Sequence, residues 1–155
     1  MDQVRYVLAV LVLVSVPPAL GLWFAVHPFA RFWRRLGPVV SYAILLTPTA
    51  ALAWALWTSR ARLLGRDYHG QPWLMALAAA AALTAIWLQL KRRKHLTMSI
   101  LAGVPEMSRS DRGQLLTEVI YGSIRHPRYI EFTLFVLAYA AVANYAGTWI
   151  VWLLG

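Results

Sequence analysis

The side chains that could do chemistry are concentrated between residues 91 and 128. His126-Pro127 closes this stretch, where a new apolar run begins. Proline suits the first turn of a helix because its missing N–H would be unpaired there. The backbone N–H groups that follow attract an anion, and His126 and Tyr129 can share one helix face. This pattern predicts a site for a small carboxylate or phosphate, with simple interfacial anchoring of both side chains as the alternative.

Glu131 lies just inside the following apolar run. A carboxylate in such a position is costly unless it pairs or faces a polar cavity. Arg128, three residues earlier, can share its face, so Glu131 either forms a helix-end ion pair or takes a direct part in catalysis. No catalytic residue is assigned. No metal site is expected, because the chain has no cysteine and its four histidines never stand three or four residues apart.

The composition of the whole chain is typical of a membrane protein. Of 155 residues, 60% are hydrophobic and only 14% are charged, with eight tryptophans. A soluble domain has about a quarter of its residues charged, and tryptophan is enriched at membrane–water interfaces. The net charge of +9 lies between apolar runs. It therefore reflects membrane topology better than nucleic-acid binding, which needs a solvated basic face, and we expect no nucleic-acid partner.

Apolar runs define the predicted elements. A membrane span needs about 20 apolar residues. The first run crosses Pro17-Pro18, which a packed helix tolerates, and a secretory signal peptide is its alternative. The last run is eight residues long and rises only about 12 Å. Three spans are expected at 6–26, 38–57 and 73–90, a fourth run at 129–143, a turn at 144–147 and an incomplete run at 148–155.

The expected fold class is all-α: an integral membrane helical bundle with four full spans and an incomplete fifth helix, which forms a C-terminal hairpin. We expect one domain over 1–155, with three N-terminal spans in 1–90, a cofactor-binding segment in 91–128 and the hairpin in 129–155. Three arginines in 27–37 and eight Lys or Arg residues in 91–128 make 11 of the 15 basic residues. Because basic loops stay inside, 91–128 is expected to be cytoplasmic and the N-terminus outside.

The string from Leu115 to Tyr129 is the most specific motif. It resembles the signature of the isoprenylcysteine carboxyl methyltransferase family and its bacterial and phospholipid-methyltransferase relatives. In that family a tyrosine precedes an Arg-His-Pro-x-Tyr string, which leads into a membrane hairpin. The matching residues here are Tyr121, Arg125, His126, Pro127 and Tyr129, and the resemblance covers about residues 95 to 155.

The resemblance implies an S-adenosylmethionine-dependent methyltransferase in a membrane, here a bacterial inner membrane. Its cofactor would bind at the cytoplasmic face. Its acceptor would be a membrane lipid, a lipophilic small molecule or a lipidated molecule, methylated on a carboxyl or similar group. The cofactor-binding residues that it implies are Glu106, Gly113, Gln114, Leu115, Leu116, Tyr121, His126, Pro127, Arg128 and Tyr129.

The chain departs from the family pattern at two places. Glu131 stands where many members have glycine, and the Arg and paired-Glu motif that follows the family's hairpin is absent. The sequence is therefore expected to be C-terminally truncated and inactive, or nearly so, without that segment. Two other functions stay open: an NADPH-dependent membrane reductase of sterol-reductase-like architecture, and a non-catalytic membrane protein.

Overall fold

The computed structural model describes residues 1–93, 107 and 127–155. Regular structure in these residues is helical, apart from one isolated antiparallel bridge between Asp67 and Tyr145. This confirms the all-α prediction. The helices are α1 (Asp2–Val26), α2 (Ala30–Leu36), α3 (Pro38–Thr58), α4 (Arg60–Leu64), α5 (Pro72–Arg93), α6 (Pro127–Ala143) and α7 (Ala146–Leu154).

Three of these helices, α1, α3 and α5, are long and apolar enough to cross a membrane. They coincide with the three predicted N-terminal spans, and α1 continues through Pro17-Pro18 without a break. It begins at Asp2, four residues before the predicted start at Tyr6, and so brings Arg5 into the bundle. The fourth apolar run forms α6, which has 17 residues. Three candidate membrane spans are thus found among the described residues.

Helix α1 is the centre of the bundle and packs against α3, α6 and α7. Its buried residues Ala9, Leu13 and Val16 recur every three or four positions, as one face of a helix requires. They meet Val136 of α6 and Val151 of α7. The apolar periodicity of the first run therefore becomes the main core.

Helix α5 packs along α6 through small side chains. Ala78 and Ala81 of α5 are buried against Ala138 and Ala141 of α6. Alanine lets two helix backbones approach closely, which strengthens dispersion contacts where no water is released. The alanine-rich third span thus provides the face against which α6 packs.

The helical conformation is interrupted between α6 and α7 at Asn144, within the predicted turn. Asn144 has a φ of +53°, in the left-handed region that asparagine tolerates better than most residues. Gly147, in the first turn of α7, packs directly on α4. A Cβ at Gly147 would lie 2.3 Å from the carbonyl oxygen of Leu63, so only glycine fits this contact.

The bundle has two chemically different ends. Helices α1 and α6 run antiparallel, because Arg5 meets Ala143 at one end and Trp23 meets Tyr129 at the other. We call the first the clamp end and the second the cavity end. The chain reaches the clamp end at its N-terminus, at 65–71 and at 144–145.

Candidate functional site

A cavity of about 420 Å³ opens at the cavity end. Its volume is in the range of small-molecule sites, and its walls are mostly apolar. Helix α1 and the turn after it form one wall, α6 forms the second and the end of α7 forms the third. The lining residues are Ala19, Leu20, Trp23, Phe24, His27, Pro28, Arg128, Tyr129, Phe132, Leu154 and Gly155.

Trp23 is the centre of a cluster on the cavity wall. Its ring lies edge-on to His27 and to Tyr129, with centroids 4.5 Å and 4.9 Å away. The guanidinium carbon of Arg128 lies 4.9 Å from the centroid of the Trp23 ring, within the range of a cation–π interaction. The aromatic rings of the α1 wall and the α6 wall therefore meet in the cavity beside the positive charge of Arg128.

Helical spacing brings these side chains together. Trp23 and His27 are four residues apart at the end of α1, where the His27 N–H donates to the Trp23 carbonyl at 3.0 Å. Arg128 and Phe132 are likewise four apart in the first turns of α6. Residues four apart project from the same face of a helix. Each helix thus offers a pair of side chains to the cavity between them.

The charges of this end favour an anionic ligand group. Arg128 is in the first turn of α6, at the positive end of the helix dipole. Glu131, in the same region of α6, is 94% buried. Its neighbour Arg128 is directed to the Trp23 ring. The arrangement suits a molecule with one acidic group and a flat or apolar body.

Of the residues that the sequence predicted, Arg128 and Tyr129 line the cavity. Pro127 is the first residue of α6, as expected for a proline at a helix start. Met107 is fully buried against Val26 and Trp33 at the same end. Outside the described residues lie Glu106, Gly113, Gln114, Leu115, Leu116, Tyr121 and His126.

The sequence motifs do not indicate the part of the cavity that belongs to α1. Trp23 and Phe24 are predicted only as the end of the first span, and His27 as the start of the loop that follows it. The Trp23-x-x-x-His27 spacing is the signal that could have identified them, because it places two rings on one face at a span's end. Nothing in the sequence, however, indicates that this face meets Arg128, which is 105 residues away.

A second polar cluster lies at the clamp end. The Arg5 side chain is 3% exposed and donates to the Asp67 carboxylate, to Asp2 at 3.2 Å and to the Ala143 carbonyl at 3.0 Å. Its guanidinium also lies over the Tyr145 ring, 5.7 Å from the centroid. One arginine thus joins α1, the segment before α5 and the end of α6. We refer to Arg5, Asp67, Asn144 and Tyr145 as the clamp.

Asn144 extends the clamp through both atoms of its side-chain amide. Its Nδ2 donates to the His69 carbonyl at 2.7 Å, and its Oδ1 accepts from the Trp149 indole at 3.0 Å. The backbone adds two further bonds: Tyr68 N–H to the Asn144 carbonyl, and Ala146 N–H to the Arg66 carbonyl, each 3.0 Å. The buried polar groups at this turn are therefore used to hold the chain together.

The clamp shifts the pKa of Asp67 and that of Tyr145. Burial alone would raise the pKa of Asp67, but hydrogen bonds from Arg5 and from the His69 backbone outweigh it and lower that pKa. Burial, together with the nearby Asp67 carboxylate, raises the pKa of the Tyr145 hydroxyl. The clamp is consequently most stable with Asp67 ionised and Tyr145 neutral.

In the described parts of the chain, no three His, Asp or Glu side chains are grouped closely enough to hold a metal ion. Neither a protein-family model, nor a curated protein, nor a solved structure matches the sequence or the fold.

Proposed function

We propose that the protein is a membrane methyltransferase that uses S-adenosylmethionine to methylate a lipid-like or amphipathic acceptor. One observation supports this most directly. Arg128 and Tyr129, which belong to the Arg-His-Pro-x-Tyr motif, line a cavity whose other walls are aromatic and apolar. A motif used only as a helix start would not need a cavity beside it.

The chemistry of the lining residues fits the cofactor. S-adenosylmethionine has a carboxylate, a flat adenine ring and a positively charged sulfur. Arg128 and the first N–H groups of α6 can bind the carboxylate, while Trp23 and Tyr129 offer ring faces to the adenine or the sulfonium. When bound, the cofactor supplies an activated methyl group at this position.

The remaining residues have binding and shielding roles. Leu20, Phe24 and Phe132 give the cavity an apolar surface that suits the hydrophobic part of the acceptor. They also keep water away from the reacting groups, which favours displacement by an acceptor held in line. An ionised carboxyl acceptor needs no general base, so the protein's part in the reaction is alignment.

The proposal includes a finer topology. Helix α6 would be a fourth span and α7 the second arm of a hairpin, in a bacterial inner membrane. The cavity end would face the cytoplasm, together with segment 91–128, and the clamp end would face outward. One observation supports this orientation: Arg31, Arg34 and Arg35 lie in the connection at the cavity end.

The test measures cofactor binding and transfer separately. The full chain in detergent is titrated calorimetrically with S-adenosylmethionine and, in parallel, with NADPH. His126→Ala is expected to weaken S-adenosylmethionine binding about tenfold, as for a lost hydrogen bond to a charged group. His69→Ala, at the exposed edge of the clamp end, is the matched control and should leave binding unchanged.

Transfer is followed with methyl-labelled cofactor and a bacterial membrane-lipid extract, by counting label in the organic phase. Labelled lipid with the wild-type chain, and less with Arg128→Ala, supports the proposal. Binding of NADPH in place of S-adenosylmethionine would establish the reductase alternative. Binding of neither cofactor would show that the protein is not this enzyme.

A further inference from the structure

Helix α2 (Ala30–Leu36) and the preceding Phe29 separate apolar from basic side chains completely. At 100° per residue, Phe29, Phe32, Trp33 and Leu36 fall within an arc of about 100°. The arginines at positions 31, 34 and 35 fall within another arc of about 100° on the opposite side. This is the pattern of a helix that lies in the plane of a membrane interface.

The apolar arc is only partly used inside the protein. Trp33 is 92% buried, and its indole donates to the Ala25 carbonyl at 2.8 Å. The fully buried Ser41 hydroxyl donates to the Gly37 carbonyl at 2.7 Å and lies 3.2 Å from the Trp33 carbonyl. Phe29 and Phe32, by contrast, are 60% and 53% exposed. Trp33 therefore fixes α2 to α1 and α3, while the side chains of Phe29 and Phe32 remain exposed on the surface.

Helix α2 ends at Gly37, directly before α3. Gly37, with a φ of +80°, accepts a conformation that other residues avoid, and its N–H donates to the Trp33 carbonyl at 3.0 Å. Pro38 then starts α3. The break at Gly37 therefore makes α2 a separate helix from the candidate span α3.

The positive charge of α2 favours an anionic partner. The chain has no Asp or Glu between Asp2 and Asp67, so α2 carries three arginines without an acidic residue near it in sequence. Arg31 and Arg35 are both exposed. Each basic residue near an anionic membrane surface contributes about 1 kcal/mol of attraction, a factor of about five in affinity.

We propose that α2 is an interfacial helix that binds anionic phospholipid, with Phe29 and Phe32 among the acyl chains and Arg31 and Arg35 against the headgroup phosphates. The occupant is a lipid because the two exposed faces match both of its parts: exposed rings for the chains and guanidinium groups for the phosphate. This inference does not depend on the methyltransferase proposal, since it concerns a surface outside the cavity.

The first experiment measures the depth of each face. The chain contains no cysteine, so single cysteines can be labelled with a nitroxide. The protein is reconstituted in vesicles of phosphatidylcholine and phosphatidylglycerol. A label at Phe32→Cys is expected to collide with oxygen dissolved in the bilayer, and one at Arg35→Cys with a water-soluble nickel reagent. Equal access of the nickel reagent to both labels would overturn the interfacial placement.

The second experiment measures lipid selectivity by native mass spectrometry of the full chain with equal phosphatidylglycerol and phosphatidylcholine. The wild-type protein is expected to retain phosphatidylglycerol preferentially. Arg31→Gln/Arg35→Gln should reduce that preference at least about tenfold. The control, Arg62→Gln/Arg66→Gln, removes the same charge at the clamp end and should leave the preference unchanged. Loss of bound phosphatidylglycerol in high salt is also expected, because salt screens exposed charges.

Two results would contradict the proposal. One is a wild-type protein that binds both lipids equally. The other is an equal loss of phosphatidylglycerol in the α2 variant and in the control variant, which would make the effect one of net charge alone. Neither readout involves S-adenosylmethionine, so this inference and the methyltransferase proposal can fail independently.

Discussion

The clamp end and the cavity end of the bundle are built from different interactions. At the clamp end, Arg5, Asp67 and Asn144 join three segments of the chain through directed hydrogen bonds, and Gly147 allows α7 to rest on α4. At the cavity end, the walls meet through rings and one cation around Trp23, and a volume of about 420 Å³ is left unfilled.

We expect the clamp end to determine the stability of the fold and the cavity end to determine ligand binding. Buried polar groups must be paired, so the loss of one partner at the clamp leaves another without compensation. A partly open apolar cavity makes fewer contacts and depends less on any one of them. Substitutions at the clamp are therefore expected to lower the free energy of unfolding, while substitutions at the cavity are expected to change ligand binding.

The largest loss of stability is expected for Arg5→Met. Methionine keeps the apolar length of the side chain but leaves the Asp67 carboxylate without its buried partner. Removing one member of a buried pair costs about 3 to 5 kcal/mol, and the partial exposure of Asp67 points to the lower end, about 3 kcal/mol. Denaturant unfolding in detergent micelles measures it. Arg62→Met, at an exposed position, should change stability by less than about 0.5 kcal/mol, and equal losses would contradict a special role for Arg5.

A somewhat smaller loss is expected for Gly147→Ala. The new methyl group would lie 2.3 Å from the Leu63 carbonyl oxygen, so α7 must move away from α4. Overpacking of this kind costs about 2 kcal/mol. Gly21→Ala in α1 is the matched control, because its methyl group meets nothing within 4 Å and alanine favours a helix by up to about 1 kcal/mol. A Gly147→Ala protein as stable as Gly21→Ala would show that the close contact does not hold α7.

A pH dependence of stability is expected from Asp67 and Tyr145. Because folding lowers the pKa of Asp67, its contribution is full above the unfolded-state value near pH 4 and is lost as the pH falls through the folded value. Folding raises the pKa of Tyr145, so its contribution is full below about pH 10 and is lost at higher pH. Thermal unfolding in detergent between pH 2 and 11 tests this. Asp67→Asn should flatten the acidic limb, and an unchanged limb would assign it to other carboxylates.

The smallest effect on stability is expected at the cavity. Phe24→Ser should change the unfolding free energy by less than about 0.5 kcal/mol, because the Phe24 side chain is 73% exposed. Any methyl transfer to lipid that the chain performs is nevertheless expected to fall about tenfold, as for a lost apolar contact with the acceptor. Leu153→Ser, equally exposed but outside the cavity, should keep the wild-type rate. Similar rates for both variants would remove Phe24 from the acceptor site.

The sequence predicts the features that depend on local patterns and not those that depend on contacts between distant residues. Long apolar runs determine α1, α3 and α5, because about 20 apolar residues have few alternatives to a membrane-sized helix. The short α2 and α4 were not predicted, since five to seven residues give too little periodicity. Of the candidate site, Arg128 and Tyr129 were identified through the motif. Trp23 and Arg5 were not, because their partners are distant in sequence and no local pattern records such pairing.

The clamp also sets an order of events during synthesis. Arg5 leaves the ribosome 62 residues before Asp67 and 138 residues before Ala143. At about 5 to 20 residues per second, it waits roughly 3 to 12 s for its carboxylate and roughly 7 to 28 s for its carbonyl. Until Asp67 has been made, the charge of Arg5 must be hydrated at the membrane surface. The complete clamp can therefore close only after α1, α3, α5 and α6 have been made.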